Sequence, residues 1–157
     1  DDTSYDAEGF ETTKVHWKFS KGFRLPTESE WEWAAKSLSN SKYSGSTTLS
    51  DVGYFDENTR SEVVEVGQLL PNNWGLYDMS GNVFEWCWDE LSPYTDLPKV
   101  YPISNSLHEN PQSVVRICRG GAWNRDAWFL RRTYRYGDKA TTKAKNIGFR
   151  IVRFIPT

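Results

Sequence analysis

Gly75-Leu76-Tyr77-Asp78-Met79-Ser80-Gly81-Asn82-Val83-Phe84-Glu85-Trp86-Cys87-Trp88-Asp89 is the stretch on which the fold turns. Its first half is turn chemistry: Pro71-Asn72-Asn73-Trp74-Gly75 leads into a run where Asp, Ser, Gly and Asn favour tight reversals. Its second half, residues 83–88, is aromatic and branched and predicts a core strand. Residues 114–118 predict a second strand, and Pro93, Pro98, Pro102 and Pro111 mark the segment between as a polar loop. Ahead of the central stretch, Thr27 and Glu30 form a capping box with Pro26 just outside it. Trp31, Ala34 and Ala35 supply an apolar stripe, so a helix is expected over residues 28–37.

Farther out the signals weaken. Residues 1–22 place Tyr5, Phe10, His16 and Trp17 among polar positions, with Gly9 at a turn, which reads as a loose hairpin or an extended lead-in. Residues 38–50 are rich in Ser, Asn, Gly and Thr and read as a surface loop, and residues 63–66 as a short strand. No internal repeat is present. One helix, several short strands and long connections imply loops that carry function or are pinned by something else.

With 157 residues, 15% aromatic content and eight tryptophans, one domain with a real core is expected. No apolar run approaches the eighteen residues of a membrane span, and Asp1-Asp2-Thr3-Ser4 lacks the basic and apolar regions of a signal peptide. Cys87 and Cys118 are too few for a disulfide scaffold. A bridge between neighbouring strands is open to them, but two buried free thiols are the favoured reading.

Charge is divided along the chain. Residues 116–157 hold eleven of the nineteen lysines and arginines and two of the twenty-one acids, about +9, which leaves about −11 for the first 115 residues. Arg119-Gly120-Gly121-Ala122-Trp123 opens this basic stretch and Ile147-Gly148-Phe149-Arg150-Ile151-Val152 closes it. Both read as strand-like strings that enclose an irregular region rich in Arg, Tyr, Trp and Asn. A basic, aromatic region also invites nucleic acid. Arginines in framing strands would instead pair with acids of the first two-thirds and hold the loop down, and that reading is preferred.

The strings GFRLPTESEWEWAA (22–35), GLYDMSGNVFEWCWD (75–89), CRGGAW (118–123) and NIGFRIV (146–152) occur in order and resemble the formylglycine-generating enzyme or sulfatase-modifying family. The resemblance covers residues 22–153 and implies an α+β, C-type lectin-like fold with few regular elements and long ordered loops. It also implies a single domain over residues 1–157 that lacks part of the family's N-terminal segment. Enzymatic members hold copper through two cysteines placed four and nine residues after the second glycine of the RGG motif. Those positions are Arg125 and Leu130 here, and neither supplies the thiolate that copper(I) requires, so no copper is expected. With two histidines, no HExxH, no GxSxG, no P-loop and no GxGxxG, other catalytic classes find no support.

A domain ending in RGG-x-W, a patchwork loop and IGFR is also similar to the variable proteins of diversity-generating retroelements, the treponemal variable protein among them. That resemblance implies a non-catalytic protein displaying a diversified surface, on the cell surface or otherwise outside the cytoplasm. Diversification there acts mostly on AAC asparagine codons, which cannot yield Trp, Lys, Glu, Gln or Met. Asn124, Arg125, Asp126, Phe129, Tyr134, Tyr136, Gly137 and Asp138 are therefore the implied ligand-binding positions. Trp128, Lys139, Lys143 and Lys145 are excluded, and Arg131 and Arg135 fall on fixed scaffold positions. At least two of Phe129, Tyr134 and Tyr136 are expected to face solvent, the alternative being that they pack inward. Arg125 and Asp126 could form a solvated surface pair.

Asp78 and Glu85, with the carbonyls of Gly81 and Val83, match one structural calcium site of the enzymatic relatives, so a structural calcium is a candidate cofactor. The competing reading is that Glu85 accepts hydrogen bonds from backbone amides or from an arginine such as Arg119. The EPN or QPD string of sugar-binding lectins is missing. Taken together, the expected partner is a macromolecular ligand, a protein rather than nucleic acid. The runner-up is a formylglycine-generating-type oxidase, inactive or divergent.

Overall fold

The computed structural model describes residues 3–5, 11–13, 22–94 and 114–155. In chain order the elements are strands β1 (Thr3–Tyr5), β2 (Glu11–Thr13) and β3 (Phe23–Arg24), helix α1 (Glu28–Lys36), and strands β4 (Phe84–Glu90), β5 (Val115–Arg119), β6 (Tyr136–Lys139), β7 (Ile147–Gly148) and β8 (Val152–Arg153). They fall into two compact units, one of residues 1–24 with 151–157, the other of residues 25–150.

In the smaller unit, β1 and β2 form an antiparallel hairpin with Thr3 opposite Thr13, so of the two readings of the N-terminal stretch the hairpin is the one that forms. Gly9 and the aromatic positions Phe10, His16 and Trp17 lie outside the described residues. β3 pairs antiparallel with β8.

The larger unit is built on the sheet β6-β5-β4-β7, in which only the β4–β7 pair is parallel. α1 forms where the capping box places it. Thr27 Oγ1 accepts from Glu30 N at 3.2 Å and Glu30 Oε2 accepts from Thr27 N at 2.9 Å, satisfying two orphan amides of the first turn. The apolar stripe then buries Trp31 and Ala35 against Met79, Cys87 and Ile117. A second cluster joins Tyr43, Leu49, Val52, Phe55 and Leu130, and a third joins Phe84, Cys118 and Ala122.

Three expectations change. Residues 38–50 are not simply a surface loop, because Tyr43 and Leu49 anchor the second cluster and a short 3-10 turn spans Leu49–Asp51. Residues 63–66 form no strand. The side chain of Asn82 takes the place of a strand partner, accepting from Val64 N at 3.1 Å and donating to Val64 O at 3.0 Å. Of the two framing strings, only Arg119 of the first is in a strand, since Gly120 and Gly121 turn the chain with positive φ. The enclosed region is not wholly irregular either, since residues 136–139 close it as the edge strand β6.

Cys87 and Cys118 are free and buried. They lie in different clusters on opposite sides of the sheet, and burial, the main cause, pushes both thiols well above the ordinary cysteine range. Among the described residues no helix is long and apolar enough to cross a membrane.

Candidate ligand-binding face

The displayed region starts where the RGG turn presses against its own loop. At Gly121, with φ +79°, an added Cβ would lie 2.7 Å from the Leu130 side chain and 2.8 Å from Phe129 O, so only glycine lets the loop fold back this closely. Leu130, at one of the two family copper positions, is fully buried in the second cluster, and its role here is packing.

Arg119, the arginine of the same motif, has no solvent exposure. Its Nη1 donates to Tyr134 O at 2.6 Å and its Nη2 to Arg132 O at 2.8 Å and to Glu32. Glu28 Oε1 lies 3.7 Å from its Nε, and the guanidinium stands 5.2 Å from the Trp31 ring centre. One buried cation thus pins two carbonyls of the loop against two acids of α1. Arg135 adds a bidentate pair, Nε and Nη2 to Glu28 at 2.6 and 2.8 Å, which accords with its scaffold assignment. Arg132 reaches Ser39 O at 2.7 Å. The expectation that arginines of the basic stretch pair with acids of the first two-thirds is met by Arg119, Arg135 and Arg150.

On this backing the implied binding residues divide in two. Asn124 and Asp126 are exposed, and Arg125, Phe129 and Tyr134 are half-buried. Asp126 Oδ1 accepts from Trp128 N at 2.8 Å, so it caps its own turn and forms no ion pair with Arg125. The Arg125 guanidinium lies instead 5.5 Å from the centre of the Phe129 ring, which in turn tilts against Tyr134 at 4.9 Å. The other three sit on β6. Tyr136 stacks on Phe84 at 4.7 Å and donates to Asp138 Oδ2 at 3.2 Å, and a Cβ on Gly137 would meet the Leu91 side chain at 2.6 Å. The expectation that two of the three aromatic residues face solvent outright is corrected: each is half-buried, because Phe129 and Tyr136 both lean on the cluster around Phe84, Cys118 and Ala122.

Two titrating groups of the strand part are perturbed. Burial pushes the Tyr136 hydroxyl up, the carboxylate of Asp138 adds to this and Arg125 opposes it, which also places Arg125 near Tyr136. For Asp138 partial burial is the largest single effect and raises it. Hydrogen bonds from Thr142 Oγ1, Lys139 N and Tyr136 together outweigh it and hold the carboxyl below the ordinary range.

Trp128 and Arg131, set aside as fixed positions, complete the face. Trp128 is exposed, and the Arg131 guanidinium lies only 3.7 Å from its ring centre. Nothing in the codon argument points to this pair, although the aromatic-x-x-Arg spacing is present in the sequence.

The residues proposed for calcium do not fit one as a set. Glu85 gives Oε2 to Trp31 Nε1 and Arg150 Nε, each at 2.6 Å, and Oε1 to Arg150 Nη2 at 2.6 Å, so its charge is neutralised by an arginine. That arginine is Arg150 of the IGFR string rather than Arg119. Asp78 accepts from Gly67 N at 2.7 Å. Gly81 and Val83 hold the turn: Gly81 N donates to Gly120 O at 2.8 Å and a Cβ on Gly81 would collide with Tyr54 O at 2.2 Å, while Val83 packs against Gly148. Among the described residues no cluster of three or more acidic, histidine or cysteine side chains could hold a metal.

The sulfatase-modifying factor enzyme 1-like domain matches residues 4–155, nearly the whole chain. The chain belongs to this family. Among solved structures, Treponema denticola variable protein 1 superposes with a TM-score of 0.76 at 37% identity, over 85% of this chain and 48% of that one. Among relatives, chaperone protein LppX of Paenibacillus barcinonensis is 35% identical over 66% of this chain and 39% of its own length. Formylglycine-generating enzyme of Streptomyces coelicolor is 31% identical over 82% of this chain and 46% of its own. The chain therefore spans less than half the length of each of these three. Its fold is the α+β, C-type lectin-like fold of formylglycine-generating enzymes. The chain is thus similar to proteins named as an enzyme, a chaperone and a variable protein.

Proposed function

We propose that this domain is a non-catalytic recognition module that binds a protein ligand, outside the cytoplasm, through the face formed by residues 124–134 and edged by Tyr136, Gly137 and Asp138. The observation that carries this reading is the separation of backbone from side chain: the Arg119 side chain fixes the loop through the carbonyls of Arg132 and Tyr134 and the Arg132 side chain ties it to Ser39 O, while the side chains of Asn124, Arg125 and Asp126 take no part in either anchor. Aromatic and arginine residues on such a support give large contact area at low entropic cost. The resemblance to the treponemal variable protein supports display of a diversified surface, and with it the extracytoplasmic setting.

An oxidase reading requires two thiolates at the family positions, where Arg125 and Leu130 stand. Cys87 and Cys118 offer no substitute pair, being buried in separate clusters. Copper(I) titration in competition with a chelator should give no stoichiometric dithiolate complex, and one bound copper per chain would favour the oxidase instead.

The binding reading is tested by display. A library randomised at Asn124, Arg125, Asp126 and Tyr134 should yield folded variants that bind an arbitrary folded protein target. A library of equal size randomised at Glu28, Arg119, Arg135, Glu85 and Arg150 should not. Equal yields from both, or none from the first, would sink the reading. Alanine at Phe129, Tyr134 and Tyr136 together is a poorer test, since two of these rings lean on the core and their loss would also cost stability.

A further inference from the structure

Resting on that reading, we infer that the ligand is a protein surface presenting clustered carboxylates, taken by the guanidinium groups of Arg125 and Arg131. Between residues 116 and 150 the basic stretch contains two kinds of arginine. Arg116, Arg119, Arg132, Arg135 and Arg150 each donate to a carbonyl or a carboxylate of the chain itself. Arg125 and Arg131 do neither among the described residues. Each lies over an aromatic ring, Phe129 at 5.5 Å and Trp128 at 3.7 Å, and each has an Nε shielded from solvent with no acceptor. The indole Nε1 of Trp123, in the same turn, is a third shielded donor without a partner. Asp126, the nearest acid in sequence, spends an oxygen on the Trp128 amide and pairs with neither arginine.

A guanidinium held close to a ring is restrained in position, and here the Nη donors, unlike Nε, stay open to a ligand. Its planar fork matches a carboxylate with two parallel hydrogen bonds. Positive charge, donors without acceptors and flanking aromatic surface specify an anionic ligand. Phosphates along a nucleic acid fit less well, because affinity there grows with the number of cations set along a track, and most arginines of this stretch are consumed internally. The two sites also differ in kind. Arg131 with Trp128 is a fixed hook, whereas Arg125 occupies a position open to diversification. A carboxylate on Arg131 would thus be the shared element, and the neighbouring variable residues would select among acidic partners.

The test uses a fluorescently labelled oligoglutamate peptide, an oligolysine peptide and a single-stranded oligonucleotide of equal charge, with binding read by anisotropy at low and physiological salt. Oligoglutamate should bind, oligolysine should not, and Arg125→Gln with Arg131→Gln should weaken oligoglutamate by about tenfold. Lys143→Gln with Lys145→Gln should change it less than about twofold, as expected for exposed single charges. Arg125→Lys with Arg131→Lys keeps the charge without the fork and should fall between, and thermal unfolding checks that every variant is folded. Failure of oligoglutamate to bind, equal loss in the lysine variant, or tighter binding of the oligonucleotide overturns the proposal. None of those results touches the display reading, whose library test uses targets of any charge.

Discussion

Two populations of arginine share one stretch of chain, and what separates them is where their hydrogen bonds go. Arg119, Arg135 and Arg150 are spent on Glu32, Glu28 and Glu85, buried or partly buried acids of the preceding two-thirds, and they fix the loop from beneath. Arg125 and Arg131 make no hydrogen bond or ion pair among the described residues and lie against ring faces. The lesson is that net positive charge along a sequence does not measure a binding surface. Most of this charge is structural, and only the unspent remainder recognises anything.

The contrast breaks hardest at Arg119. Arg119→Ala leaves Glu32 without its cation, removes the second of two cations beside Glu28, which keeps Arg135, and releases the carbonyls of Arg132 and Tyr134, so chemical denaturation should show a loss of about 3–5 kcal/mol, as for other buried pairs robbed of one partner. Glu85→Gln removes the charge that accepts from Trp31 and Arg150, and a smaller loss of about 1.5–3 kcal/mol should appear in the same assay. Arg125→Gln with Arg131→Gln should cost no more than about 1–2 kcal/mol, because each gives up a cation–π contact but no hydrogen bond. A large loss there would mean these two arginines belong with the others.

The smallest effect sharpens the strand part of the face. The folded carboxyl of Asp138 lies below its unfolded value, so its contribution is fully present above that value, about 3.9, and is lost as pH falls below it and through the folded value. Asp138→Asn should therefore lower Tm by about 1–2 °C at pH 7, and the gap between variant and parent should close below about pH 4.

Much of this was legible in the residues. The capping box gave α1 to within one residue, because Thr27 and Glu30 act locally and need no tertiary partner. The strands flanking the centre were legible for the same reason, their aromatic and branched runs being continuous. Residues 38–50 were misread because two apolar side chains, Tyr43 and Leu49, suffice to draw a polar segment into a core that sequence alone does not reveal. Residues 63–66 misled because their partner is a side chain, Asn82, rather than a strand. At the face, pairing of arginines with acids could be anticipated from the charge split. Which arginine meets which acid could not, since Arg150 and Glu85 are 65 positions apart and only the parallel β4–β7 pairing brings them together. The Trp128–Arg131 stack is not anticipated because Trp128 is excluded from the diversified positions and Arg131 falls on a fixed scaffold position.

The most direct test is amide hydrogen exchange over residues 124–138 in three proteins: the parent, a variant carrying Ala at Asn124, Arg125 and Asp126, and Arg119→Ala. A support independent of its displayed side chains predicts protection at Tyr134 and neighbouring amides that is unchanged in the triple variant and lost in Arg119→Ala. Equal loss in both variants, or free exchange in the parent, would contradict it.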